Sequence, residues 1–139
     1  MISLTSELLT NIELIDRQHM VLFERINEVI AMGKRSVQKS EMETTLNLLL
    51  AYADKHFTDE EELMKCSGYI NINWHKEMHR WYYAEILKLI REYEVIGPSE
   101  KYRQLLEKSI INWIIKHILN VDMVMAKSIN AQKIKDCIA

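Results

Sequence analysis

The sequence predicts an all-α fold, an up-down-up-down antiparallel four-helix bundle with a short N-terminal arm. Three observations predict it. The chain of 139 residues has only three glycines and one proline, so it has room for very few sharp turns. These residues stand at three places, Gly33, Gly68 and Gly97-Pro98, and cut the chain into four segments of helical length. Within each segment apolar residues return at alternating steps of three and four, the seam of helices packed nearly antiparallel. Four such helices with short connections make the bundle. No alternating strand pattern of useful length competes.

Each helix can be justified in turn. The first carries Ile15, His19, Leu22, Ile26 and Val29 on its seam, with Asp16 as a candidate cap and the arm before it. The second carries Met42, Leu46, Leu49, Ala53, His56, Glu60 and Leu63. Ser40 followed by Glu43 reads as its capping box, each side chain serving a backbone N–H at the helix start. The third carries Ile72, His75, His79, Tyr82, Ile86, Leu89 and Tyr93, with Asn71 or Asn73 as cap. The fourth carries Leu106, Ile110, Trp113, His117, Asn120 and Val124, with Ser99 as cap and Asn130 to Ala139 as an extension. No repeat, linker or low-complexity run appears, so residues 1–139 are expected to form one domain.

Composition narrows the function. Eighteen Lys and Arg stand against 20 Asp and Glu, so there is no basic field to hold nucleic acid. No run of apolar residues is long enough for a membrane span. The N-terminus lacks the basic and apolar regions of a signal peptide. Cys66 and Cys137 are too few and too far apart for a disulfide framework or a cysteine-based metal site. They are read as free thiols in a cytoplasmic protein.

The anomaly lies in the seams. All five histidines fall on them, together with Glu60. If a seam takes two of every seven positions, five random histidines would all land there with a chance of roughly 0.2%. A lone histidine on an apolar face is usually a core residue satisfied by a hydrogen bond. Five of them with a carboxylate are costly to bury without a common partner, and a metal cation is the natural one. His56 and Glu60, like His75 and His79, are i, i+4 pairs, which project from one helix face. Asp122 follows His117 by five residues, about 140° around an α-helix. It reaches inward if a π turn, common at functional sites, inserts one extra residue there. The eight methionines are read as core filler. Tyr69, Trp74, Trp81 and Tyr83 are read as packing or surface aromatics.

Five imidazoles and two carboxylates are too many for one ion and suit two, bridged by the carboxylates. Such donors admit iron, manganese, zinc or copper. Few anionic ligands favour the reduced state of an iron pair. That suits reversible electron donation to a ligand better than strong oxidation.

The pattern Ile15-Asp16-x-Gln18-His19, His56-Phe57-x-x-Glu60-Glu61-x-x-Met64, Gly68-Tyr69, His75-x-x-x-His79 and Trp113-Ile114-x-x-His117-Ile118-x-x-x-Asp122 resembles the bacterial hemerythrins along nearly the whole chain. Ile70 stands where many relatives have proline, and a tryptophan common near the family's N-terminus is missing. Neither change touches an expected ligand. The resemblance implies two iron ions cycling between Fe2+ and Fe3+, with an oxo or hydroxo bridge. His75, His79 and His117 would hold one iron. His19 and His56 would hold the other, which keeps an open position, and Glu60 and Asp122 would bridge both. Dioxygen would bind there as a hydroperoxide and leave by the reverse path. Leu22, Phe57, Trp113, Ile114 and Ile118 match the family's apolar ligand pocket. Hydrogen bonds from neighbouring groups are expected to orient each imidazole. The expected role is oxygen carriage, storage or delivery rather than enzyme catalysis. The alternatives are an oxygen or redox sensor acting through a separate protein partner, and a di-iron enzyme reducing peroxide or nitric oxide.

Overall fold

A computed structural model describes residues 2–33, 35 and 38–132. The predicted bundle is present. Helix α1 spans Glu13–Gly33, α2 Lys39–Ser67 and α3 Ile72–Ile96. The fourth, α4, is one rod over residues 100–132 made of five pieces. Glu100–Leu106, Asn112–His117 and Met123–Gln132 are α-helical, and Glu107–Ile111 and Ile118–Asp122 are π turns between them. No helix among the described residues is long and apolar enough to cross a membrane.

The seams of α1 and α2 are buried throughout, and that of α3 from His75 to Tyr93. In α4 the expected seam fails beyond His117. Asn120 is exposed, and Val124 is 49% exposed. Val121, Asp122, Met125, Ala126 and Ile129 face inward instead. The cause is the expected π turn. Its extra residue advances every later position by one, so a seam counted in threes and fours loses register. The Met123 N–H bonds the Ile118 carbonyl, five residues back, in place of the usual four.

The helix ends follow local chemistry, with two departures. Ser99 accepts a hydrogen bond from the Tyr102 N–H at 3.1 Å, as expected of a cap. Gly68 closes α2 in the left-handed region, φ 70°. There the Tyr69 N–H reaches the Met64 carbonyl at 3.0 Å and the Gly68 N–H reaches that of Lys65 at 3.3 Å. This paired closure suits glycine, which pays no Cβ penalty there. Ser40 is not the cap of α2, because the helix already begins at Lys39 and Gln38 takes the cap position. Asp16 lies inside the first turn of α1 rather than ahead of it. Its carboxylate reaches back to the arm and accepts from the Thr10 N–H at 2.8 Å and the Asn11 N–H at 3.1 Å.

The arm then runs beside α1, where Asn27 exchanges two hydrogen bonds with the backbone of Ile2. At the far end of α1, a Cβ on Gly33 would stand 3.2 Å from Leu106, so glycine allows α4 to pass close. Cys66, expected as a free thiol, is disulfide-bonded. Cys137 and the rest of the expected extension after Gln132 lie outside the described residues.

Two apolar clusters fill the bundle. The larger holds residues such as Leu22, Ile26, Leu46, Leu89, Tyr93 and Tyr102. The smaller, at the opposite end, holds Ile12, Ile15, Leu63, Met64, Tyr69, Met125, Ala126 and Ile129. Along every helix the histidines and acids fall between the two. The polar belt is therefore enclosed by apolar packing above and below.

Candidate metal centre

All seven predicted residues come together in this belt. α1 supplies His19, α2 His56 and Glu60, α3 His75 and His79, and α4 His117 and Asp122. All seven are buried, Glu60 and Asp122 completely. Each i, i+4 pair places its two side chains on the inner face of a regular helix. His117 and Asp122, five apart, share that face because of the intervening π turn.

The carboxylate oxygens divide the histidines into two sets. Glu60 Oε1 lies 2.6 Å from His75 Nε2 and 3.1 Å from His79 Nε2. Asp122 Oδ1 lies 3.0 Å from His75 Nε2 and 3.0 Å from His117 Nε2. The other oxygens face the other way. Glu60 Oε2 is 3.1 Å from His56 Nε2, and Asp122 Oδ2 is 3.0 Å from His19 Nε2. Two donor groups result, Glu60, His75, His79, His117 and Asp122 on one side and His19, His56, Glu60 and Asp122 on the other. Both carboxylates belong to both groups.

Of these contacts only those of His75 and His79 to Glu60 Oε1 are hydrogen bonds. His19 Nε2, His117 Nε2, Glu60 Oε2 and both Asp122 oxygens make no hydrogen bond, despite separations near 3.0 Å. The atoms are close enough but not aligned with one another. Orphaned buried polar atoms are expensive, so a shared partner between them is the economical explanation. Distance supports this. Neighbouring donors about 2.1 Å from one octahedral ion stand about 3.0 Å apart, whereas tetrahedral donors stand about 3.4 Å apart. The two groups, with five and four donors each within 4.8 Å of one another, fit metal cations.

The acids draw positive charge strongly. Burial, and the Asp122 charge beside it, push the Glu60 carboxyl up, but His56 and His75 outweigh both and hold it well below the usual range. Asp122 is likewise held low against burial by His117, His19 and His75. Burial opposes a charged His75, yet Asp122 and Glu60 push its imidazole up to about 9. Burial wins at His56, whose imidazole is pushed down. A metal competes with these protons for the same nitrogens.

The outward nitrogens show what the sequence left unnamed. His56 Nδ1 donates to Gln18 Oε1 at 2.8 Å, and Gln18 Nε2 donates to Asp59 at 2.7 Å. His79 Nδ1 donates to Glu61 Oε2 at 2.8 Å. These bonds leave Nε2 free to face the centre and fix the ring plane. Both partners sit beside a candidate ligand in the chain, Gln18 before His19 and Glu61 after Glu60, inside the quoted motifs. His19, His75 and His117 have no Nδ1 partner among the described residues, so packing orients them. Trp113 stacks on His117, with ring centres 4.5 Å apart and planes at 15°. Phe57 stacks on His79 at 4.0 Å and 12°. Of the expected pocket residues, Leu22, Phe57, Ile114 and Ile118 are buried in the larger apolar cluster, and Trp113 packs against it half-buried.

Comparison with known proteins agrees with this geometry. The family model described as the hemerythrin HHE cation binding domain matches residues 10–129, a span that contains all seven donors. A bacteriohemerythrin of Campylobacter jejuni is 34% identical over 122 residues, covering 84% of this chain and 86% of the relative. That of Methylococcus capsulatus is 28% identical over 125 residues, covering 88% and 91%. That of Clostridium acetobutylicum is 26% identical over 117 residues, covering 80% and 88%. The four-helix bundle, the inward histidines and the matched span lead to one assignment: this chain belongs to the hemerythrin family.

Proposed function

We propose that this chain binds dioxygen reversibly at a pair of iron ions, as a carrier, store or local source rather than as an enzyme. The observation that supports the reading is the division of the Glu60 and Asp122 oxygens between a three-histidine and a two-histidine set. His75, His79 and His117 would hold one iron and His19 and His56 the other, with Glu60 and Asp122 shared. Five donors on one side and four on the other leave the two-histidine side with more room in a six-coordinate shell. When bound, the iron pair supplies electrons that dioxygen takes up on binding and returns on leaving.

The chain's own residues do the rest. Leu22, Phe57, Ile114 and Ile118 wall the belt with apolar side chains. A dry wall slows protonation and loss of reduced oxygen species, which would strand the metal in its oxidised state. Gln18 and Glu61 hold His56 and His79 in the ring orientation that presents Nε2 inward. The bundle itself keeps the donors in place on four rigid helices.

The test is spectroscopic. The iron-loaded, reduced protein is exposed to air and then to vacuum while its visible spectrum is followed. A charge-transfer band that rises in air and falls under vacuum is expected over repeated cycles. A single irreversible oxidation, or failure to retain iron, would overturn the reading.

A further inference from the structure

A reversible oxygen binder is only useful while its metal is reduced, and slow oxidation leaves it inactive until electrons return. The seven side chains of the belt are each at most 4% exposed, so away from the surface cleft beside His79 an external donor reaches them through the protein. One line of stacked rings leads outward. The His117 imidazole lies against Trp113, with centres 4.5 Å apart. Trp113 lies against Trp81 at 5.6 Å and 21°. Trp81 is 48% exposed. A second branch joins the same point from His79, through Phe57 and Tyr82, and Tyr82 stacks on Trp113 at 4.1 Å and 9°. Two of the candidate ligands thus converge on Trp113, and Trp113 meets the surface at Trp81.

The surface end has a defined chemistry. Trp81 and Trp113 line a groove of about 460 Å³ between α3 and α4, together with Leu105, Glu85, Lys108 and Lys116. Two ammonium groups and one carboxylate line it, and two indole rings supply flat apolar area. Such a groove favours a planar aromatic group carrying negative charge. Packing alone does not account for Trp81, since half of the ring lies in water and α3 buries Tyr82, Ile86 and Leu89 without it.

We propose that Trp81 and Trp113 form an electron port, where an anionic one-electron donor of the reduced-flavin class returns electrons to the metal pair through His117. This rests on the di-iron reading above. Each passage moves one electron inward and oxidises the donor by one electron. Two passages convert a diferric pair to a diferrous pair. The donor's protons go to solvent, none crosses the stack, and no bond in either indole forms or breaks. The rings act as a bridge between donor and ligand.

The test uses the air-oxidised, iron-loaded protein without oxygen, mixed with photoreduced flavin mononucleotide, and follows the rate of metal reduction. Trp81→Leu is expected to slow it on the order of tenfold, and Trp81→Phe by less. Reversing both charges, Lys108→Glu with Lys116→Glu, is expected to slow the flavin and to speed a cationic donor such as hexaammineruthenium(II). A readout independent of iron is quenching of tryptophan fluorescence when flavin mononucleotide is titrated into the metal-free protein, expected to weaken in Trp81→Leu. The air–vacuum band should be unchanged in all three variants. Equal reduction rates in Trp81→Leu and the wild type would overturn the port while leaving the oxygen-binding reading intact. Absence of the reversible band from the wild type would instead overturn that underlying reading.

Discussion

The large apolar cluster and the polar belt are built on the same four helices, with the same seam spacing, and they are held together by different physics. In the cluster, Ile26, Leu46, Leu89 and Tyr93 gain stability simply by leaving water. In the belt, seven polar side chains occupy equivalent inward positions, and five of their donor or acceptor atoms at the shared face lack a hydrogen bond. One region is self-sufficient and the other needs a partner. A substitution in the cluster should therefore change stability without changing metal content, and one in the belt should change both.

The largest separation is expected from Glu60→Ala. It removes an acid that faces His75 and His79 through one oxygen and His56 through the other. It should abolish the paired site, read by elemental analysis. It should also destabilise the bundle by about 3–5 kcal/mol, the usual cost of breaking a buried charged set. Leu46→Ala, in the apolar cluster, should cost about 2–5 kcal/mol in denaturant unfolding and leave two ions per chain. If it lost metal in the folded state, the two regions would not be separable.

Removing the metal should reproduce part of the Glu60 effect in the wild type. A ligand that binds only the folded chain stabilises it by mass action, so a chelator should lower the unfolding midpoint. The same chelator should do nothing to Glu60→Ala. Finer still, Gln18→Ala and Glu61→Ala remove partners of His56 and His79 rather than candidate ligands. Each should weaken metal affinity by about 10–100-fold in a competition titration, with little change in helix content. The smallest effect is expected from Ser99→Ala, which removes the cap of α4 far from the belt. About 1 kcal/mol of stability should be lost with no change in metal.

Seam spacing depends only on the α-helical period, so α1, α2 and α3 were legible, and so were the five histidines and Glu60. The π turn at Ile118–Asp122 was legible because one residue demanded it, as Asp122 stood one place too far from His117 to share its face. Its consequence was missed at Asn120 and Val124, since a seam counted straight through ignores the inserted residue. The other π turn, Glu107–Ile111, left no such misplaced polar residue to reveal it. The roles of Gln18 and Glu61 were hidden for a different reason. They lie on the flanks of their helices, where position depends on how neighbouring helices rotate about each other. Asp16 and Ser40 show the same limit on a smaller scale, because several polar residues near a helix start compete for one cap. The state of Cys66 depends on tertiary proximity, which spacing along the chain does not give.

The proposed function requires one buried belt to hold two metal ions with both carboxylates between them. Anomalous X-ray diffraction from crystals of the iron-loaded protein, recorded at the iron edge, tests it most directly. Two peaks are expected, about 3.5–4 Å apart, one beside His75, His79 and His117 and the other beside His19 and His56. A single peak, or two peaks lacking Glu60 or Asp122 between them, would contradict the account.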